Sequence, residues 1–279
     1  MPAFTESYPD RVPNEADRPR RHALHHRTGA LENQPVAAGN GCTKTEKAYF
    51  KLDDPRGLDL IQAIFDVYRI RMEYDAEKMK AAIPADGAFI TVSNHPFGFL
   101  DGVSLINIIG RLRPGYKVVA NFLLAFFDPI KDMFITVNPF ENAGPRRMGG
   151  TQKCLEILKS GQGVGLFPAG EVSTWYKDRK GIQDKDWSLS SMKLILQAGV
   201  PVIPVYFEGS NSRTFHVMGK VHPVLRTLRL AIEMMKKENS GIRLHAGEAI
   251  PFEVIRDMTP DALRIYLREA TYALAPVRR

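Results

Sequence analysis

Five short runs rich in β-branched and aromatic residues punctuate this chain. They are AFITVS (88–93), YKVVA (116–120), MFITV (133–137), GVGLF (163–167) and PVIPVYF (201–207), and helix-like patterns lie between them. Strands that alternate with helices favour a parallel sheet, because each crossover helix carries the chain back to the end where it started. The alternation therefore predicts an α/β fold, a single domain with a mostly parallel central sheet flanked by helices. Helical segments are expected over 102–112, over 147–161 closed by Gly161, over 187–199, and over 259–274 with Thr259 as N-cap and Pro260 at the first position. IRLHAG (242–247) reads as a sixth strand. Upstream, Leu58, Ile61, Phe65, Tyr68 and Met72 recur at helical steps, so one amphipathic helix is expected over 57–74, followed by a turn at Pro84, Asp86 and Gly87. No internal repeat is visible.

Residues 1–46 have a different character. They are rich in proline and charge and lack a periodic apolar pattern, so they read as a disordered tail ahead of a domain over 47–279. His22, His25 and His26 fall in this tail with no carboxylate or cysteine at ligand spacing, and a solvated segment is expected rather than a metal site. The 38 basic and 31 acidic residues leave a net charge of +7, which suits an anionic partner: phospholipid headgroups, nucleic acid or an acidic carrier. Cys42 and Cys154 form no CxxC pair, so neither a disulfide framework nor a zinc site is indicated, and a reducing compartment is expected. No signal peptide and no apolar run of spanning length are seen, so contact with a membrane would be peripheral.

In parallel sheets, reactive groups collect on the loops beyond the carboxyl ends of the strands. Three such loops have unusual composition: SNHPFGFLDG (93–102), NPFENAGPRRMGG (138–150) and FPAGEVS (167–173). In the first, Pro96 and Gly98 enforce a tight path that can fold Asp101 back towards His95. A carboxylate behind a histidine fixes its tautomer and stabilises the imidazolium, which makes a general base. The plainer alternative is that His95 ends the strand and Asp101 caps the next helix. There is no GxSxG elbow, and neither cysteine lies in a promising loop. The nucleophile is then expected on the substrate, which favours a transferase over a hydrolase.

The motifs resemble those of the glycerolipid acyltransferases. NHPFGFLDG is similar to the family's first motif, FPAGEVS to its third and VPVIPVYFEG (200–209) to its fourth, in the family's order. The matching domain is expected over roughly 50–255. Five residues separate His95 from Asp101, rather than the common four, and with FPAGEVS this resembles the hemolysin-labelled, ornithine-lipid-type branch. The resemblance implies transfer of a fatty acyl group from an acyl carrier protein or coenzyme A thioester to the hydroxyl of a lyso-lipid. It implies His95 and Asp101 as the catalytic pair, and Asn94, Phe167, Pro168, Ala169, Gly170 and Glu171 as substrate-binding residues. No metal or redox cofactor and no nucleic acid are implied.

Departures from the family pattern bear on the acceptor. Ala169 and Val172 stand where the common third motif carries glutamate and arginine, and Glu171 replaces its threonine. Losing the arginine removes a bidentate phosphate partner, and Glu171 adds charge that repels phosphate. A lyso-amino lipid of ornithine or glycine type is therefore the favoured acceptor, with 1-acylglycerol-3-phosphate as the alternative. Arg146 and Arg147, at the start of an expected helix, offer an anion site for an acceptor phosphate or the donor's phosphopantetheine arm. Lys193 falls where the family often carries a basic residue. NFLLAFFDPI (121–130) is either a lipid-facing segment or core. The 222–239 segment is a basic amphipathic helix with Leu225, Leu228, Ile232 and Met235 on one face, which either packs on the domain or lies in an anionic leaflet. The expected location is the cytoplasmic face of a membrane. A non-catalytic lipid-binding protein is the rival from another class.

Overall fold

The computed structural model describes residues 56–121, 128–137, 149–176, 181–216, 230 and 232–276. The chain divides into Met1–Cys42 and Thr43–Arg279, and all of these residues belong to the second unit. The expected tail over 1–46, Arg146 and Arg147, most of 121–130 and residues 222–229 lie outside the described residues.

A seven-stranded sheet forms the centre. Its strands in chain order are β1 (Arg71–Glu73), β2 (Phe89–Ser93), β3 (Lys117–Asn121), β4 (Phe134–Val137), β5 (Gly163–Leu166), β8 (Val202–Phe207) and β9 (Gly241–Ala246). Two further strands, β6 (Thr174–Trp175) and β7 (Ile182–Gln183), form a separate antiparallel pair. The order across the sheet is β1-β9-β8-β2-β5-β3-β4. Every neighbouring pair is parallel except β8 with β9. The mostly parallel α/β architecture expected from the sequence is the one observed.

Packing explains why the strands sit where they do. β2 is buried at all five positions and lies in the middle of the sheet. Along β8, Ile203, Val205 and Phe207 join one core, together with the helices Gly57–Val67 and Phe99–Leu112. Val202 joins the other, which contains Ile195 of helix Leu189–Ala198 and Leu263 and Leu267 of helix Pro260–Tyr272. The period-two alternation thus divides each strand between two helical layers. Every residue from Leu100 to Gly110 is buried, and the Phe99–Leu112 helix packs against β3 and the Gly57–Val67 helix.

The 57–74 segment differs from the expected single helix. The helix ends at Val67, Arg69 takes φ +50°, and the chain then forms strand β1. The Ile70 N–H closes the helix end on the Phe65 carbonyl at 2.8 Å. Met72 fits the helical spacing, but alternation with buried Ile70 lets a strand satisfy it equally well, and pairing with β9 decides the outcome. A helix over Ala76–Ala82, capped by the Asp75 carboxylate on the Lys78 N–H, was not read from the sequence. The terminal helix has the expected start: the Thr259 hydroxyl accepts from the Ala262 N–H, and Pro260 follows.

Candidate active site

The carboxyl ends of β2, β5 and β8, three neighbours in the sheet, set the frame. Beyond β2 the chain turns sharply through Gly98, at φ +78° and ψ −120°, a conformation that disfavours any side chain. The Phe99–Leu112 helix begins there, three residues earlier than the sequence pattern suggested. Asp101 is consequently the third helical residue and reaches back over the turn. Its Oδ2 accepts the N–H groups of Phe97 (2.8 Å) and Gly98 (2.9 Å) and lies 3.0 Å from His95 Nδ1. Gly98, not Asp101, is thus the N-cap, and one Asp101 oxygen both receives two N–H groups at the helix start and faces the His95 ring.

Asp101 is fully buried, and its Oδ1 has no hydrogen-bond partner. Burial pushes its carboxyl above the ordinary value of 3.8, while His95 and the two backbone donors pull the other way. Lys237 adds a positive charge within electrostatic reach of Asp101. Its ammonium sits 4.1 Å over the Phe97 ring and 3.4 Å from the Ser210 carbonyl, and burial lowers its pKa. The His95 ring stacks on Phe167 at 4.1 Å and keeps 18% side-chain exposure. Since Nδ1 is buried against Asp101, Nε2 is the ring nitrogen left for a substrate.

The remaining expected site residues divide into those near the ring and those that build the frame. Asn94 belongs to the frame. Its amide donates to the Phe207 carbonyl (2.9 Å) and accepts the Phe207 N–H (2.7 Å), so it latches the end of β2 to β8. Phe167 contacts His95 directly. Pro168 and Ala169 are buried, Ala169 in the second core. Gly170 is exposed, takes φ +69° and closes a turn on the Phe167 carbonyl at 2.9 Å. Glu171 is partly exposed and lies 3.7 Å from the Lys185 ammonium, so a basic partner already faces it. Lys193 is on the exposed side of its helix. Ile232 and Met235, expected on a single apolar face, are 44% and 47% exposed, whereas Met234 packs against the core.

Sequence reasoning missed Asp184. This carboxylate is fully buried in the stretch between β7 and the Leu189–Ala198 helix. Its Oδ1 accepts the His95 N–H (3.1 Å) and the Ser173 hydroxyl (2.5 Å), and its Oδ2 accepts the Trp187 indole N–H (3.0 Å). Its own N–H donates to the Tyr272 hydroxyl at 2.9 Å. A cavity of about 440 Å³ lined by Lys117, Phe134, Lys153 and Ser160 lies elsewhere. It runs along edge strand β4 and the Gly150–Lys159 helix, away from the His95 loop. Among the described residues no cluster of His, Cys, Asp and Glu is arranged to hold a metal ion, and no helix is long and apolar enough to cross a membrane.

A buried carboxylate behind a partly exposed histidine, at the carboxyl end of a central parallel strand, suits proton abstraction from a hydroxyl. Residues 45–255 match the family model described as acyltransferase. The chain belongs to the acyltransferase family. It is similar to a lyso-glycine lipid O-acyltransferase of Bacteroides thetaiotaomicron, 27% identical over 79% of this chain and 81% of that one. It is also similar to a lyso-glycine lipid O-acyltransferase of Phocaeicola vulgatus, 26% identical over 78% of each chain. Among solved structures it resembles PlsC, the 1-acyl-sn-glycerophosphate acyltransferase of Thermotoga maritima, with a TM-score of 0.49 and 18% identity over 79% of this chain and 82% of that chain. The motif resemblance seen in the sequence and the family match agree.

Proposed function

We propose that this acyltransferase moves a fatty acyl group from a thioester, carried by acyl carrier protein or coenzyme A, to the hydroxyl of a lyso-amino lipid at a membrane surface. The contact between His95 and Asp101 carries the mechanism. The acceptor O–H gives its proton to His95 Nε2 as its oxygen attacks the thioester carbon. The C–S bond of the tetrahedral adduct then breaks, and the departing sulfur takes that proton, leaving an ester and a thiol. Asp101 stabilises the imidazolium in between. No protein nucleophile is required: Cys154 is buried, and burial pushes its thiol up to about 12.

The acceptor class is supported by two relatives named lyso-glycine lipid O-acyltransferase, each matched over most of its length. The third motif agrees, since Val172 is buried and supplies no guanidinium for a phosphate. The exposed Ile232 and Met235 support docking at a membrane surface, on the cytoplasmic leaflet.

The test is lipid analysis of a host that supplies hydroxyacyl-glycine or hydroxyacyl-ornithine lipid, expressing wild type or His95→Ala. A diacylated amino lipid formed only by the wild type supports the reading. Phosphatidic acid formed from 1-acylglycerol-3-phosphate in its place would move the acceptor to a phosphate ester. Full activity in His95→Ala would overturn the mechanism.

A further inference from the structure

We propose that Asp184 is a positioning residue for the acyl transfer, holding the His95 backbone so that its ring meets Asp101 and the substrate together. This rests on His95 as general base. Both backbone polar groups of His95 are held from the third-motif side: its N–H by Asp184 Oδ1, and its C=O by the Ser173 N–H at 2.8 Å. Ser173 in turn spends its hydroxyl on the same Asp184 oxygen. The loop after β2 and the loop after β5 are thereby joined through one carboxylate. The ring of His95 is held separately, between Phe167 and Asp101. With the backbone fixed on one side and the ring on the other, the direction of Nε2 is set by geometry alone.

The chemistry of the pocket around Asp184 makes the assignment testable. Among the described residues, the three side-chain contacts are donors pointing at an acceptor, which a carboxylate satisfies on both sides. An amide at this position presents its NH₂ group either to the Trp187 indole N–H or to the His95 N–H. Asp184→Asn thus keeps the shape of the site but sets one donor against another. Trp187→Phe removes the indole donor and lets the amide oxygen return to His95 and Ser173.

The experiment compares wild type, Asp184→Asn, Trp187→Phe, the double variant and Ser173→Ala, all shown folded by thermal melting at the assay temperature. In Asp184→Asn, kcat is expected to fall about 100-fold, the cost of an aim lost by roughly 1 Å. KM for the lyso-lipid should stay within about twofold, because ground-state binding is untouched. The double variant should recover at least about tenfold of that loss. Ser173→Ala, which spares the His95 N–H contact, should lose less than about tenfold in kcat. Hydrogen exchange supplies a readout independent of the acceptor: in Asp184→Asn the peptide carrying His95 should lose protection while β8 keeps its own.

Unchanged kcat in folded Asp184→Asn would overturn the assignment, as would a loss the double variant fails to relieve. So would Ser173→Ala falling as far as Asp184→Asn. If the wild type acylates no lyso-lipid but the exchange result holds, the functional reading fails and the loop clamp stands.

Discussion

Replacing Asp101 by Asn separates its charge from its shape. Oδ2 receives two backbone N–H groups and faces His95 Nδ1, whereas Oδ1 is buried without a partner. An amide with its oxygen at the Oδ2 position keeps all three contacts and puts its NH₂ where nothing was bound. Helix start and ring orientation should survive, and only the charge is lost. With about 4 Å between charge centres and an effective dielectric of roughly 20, the carboxylate stabilises the imidazolium by about 4 kcal/mol. That corresponds to a fall of about 10³-fold in kcat, with little change in acceptor KM.

Stability should move the other way. Burial raises the Asp101 carboxyl above 3.8, so the folded state resists its ionisation. A raised carboxyl costs stability as pH climbs from the unfolded value through the folded one, and the full penalty is present above both. Asp101→Asn lacks that penalty. At neutral pH it should melt at or above the wild type, by about 1.4 kcal/mol for every pH unit by which the carboxyl is raised. The gap should close as pH falls towards about 4. Acyl transfer and melting, followed together across this range, test both halves. A rate loss under about tenfold, or a variant melting several degrees below wild type at neutral pH, would refute the reasoning.

Gly98→Ala should lower stability by about 2 kcal/mol and reduce activity. Its Cβ would meet Val172 Cγ2 at 3.1 Å and Leu230 Cδ2 at 2.8 Å on a backbone at positive φ, and a thermal melt reads the cost. Asn94→Asp should cost about 1–3 kcal/mol in a urea melt, because a carboxylate oxygen would face the Phe207 carbonyl in place of a donor. Glu171→Gln should change stability by less than about 0.5 kcal/mol, since its pair with Lys185 is exposed. It should nevertheless shift preference between lyso-lipids with and without an ammonium head group; unchanged preference in a competition assay would remove Glu171 from acceptor recognition.

His95 and Asp101 were legible because both lie in one short turn, where proline and glycine spacing limits the path. Strands β2, β3, β4, β5, β8 and β9 were legible for a similar reason, since each stands in a short local run rich in β-forming residues, whereas β1, β6 and β7 were not. What the sequence hid depends on distant partners. Asn94 reads as part of a catalytic motif, yet its amide is occupied by a backbone 113 residues away. Asp184 lies in QDKDWS, which reads as an ordinary charged loop, and only the fold brings it under His95, 89 residues distant. The helix expected over 57–74 breaks at Arg69 because pairing with β9, not local periodicity, determines the fate of Met72.

The bond from Asp184 to Tyr272 also bears on where the working unit stops. The family match ends at residue 255, but Tyr272 stands on the helix that follows and shares its hydroxyl with the loop clamp. A shortened chain cut at the edge of the recognised region would lose the keystone at the far end of the arch, along with the Leu263 and Leu267 side chains buried under the sheet. For this protein, the packed unit that holds the loop clamp extends beyond the residues the family model matches.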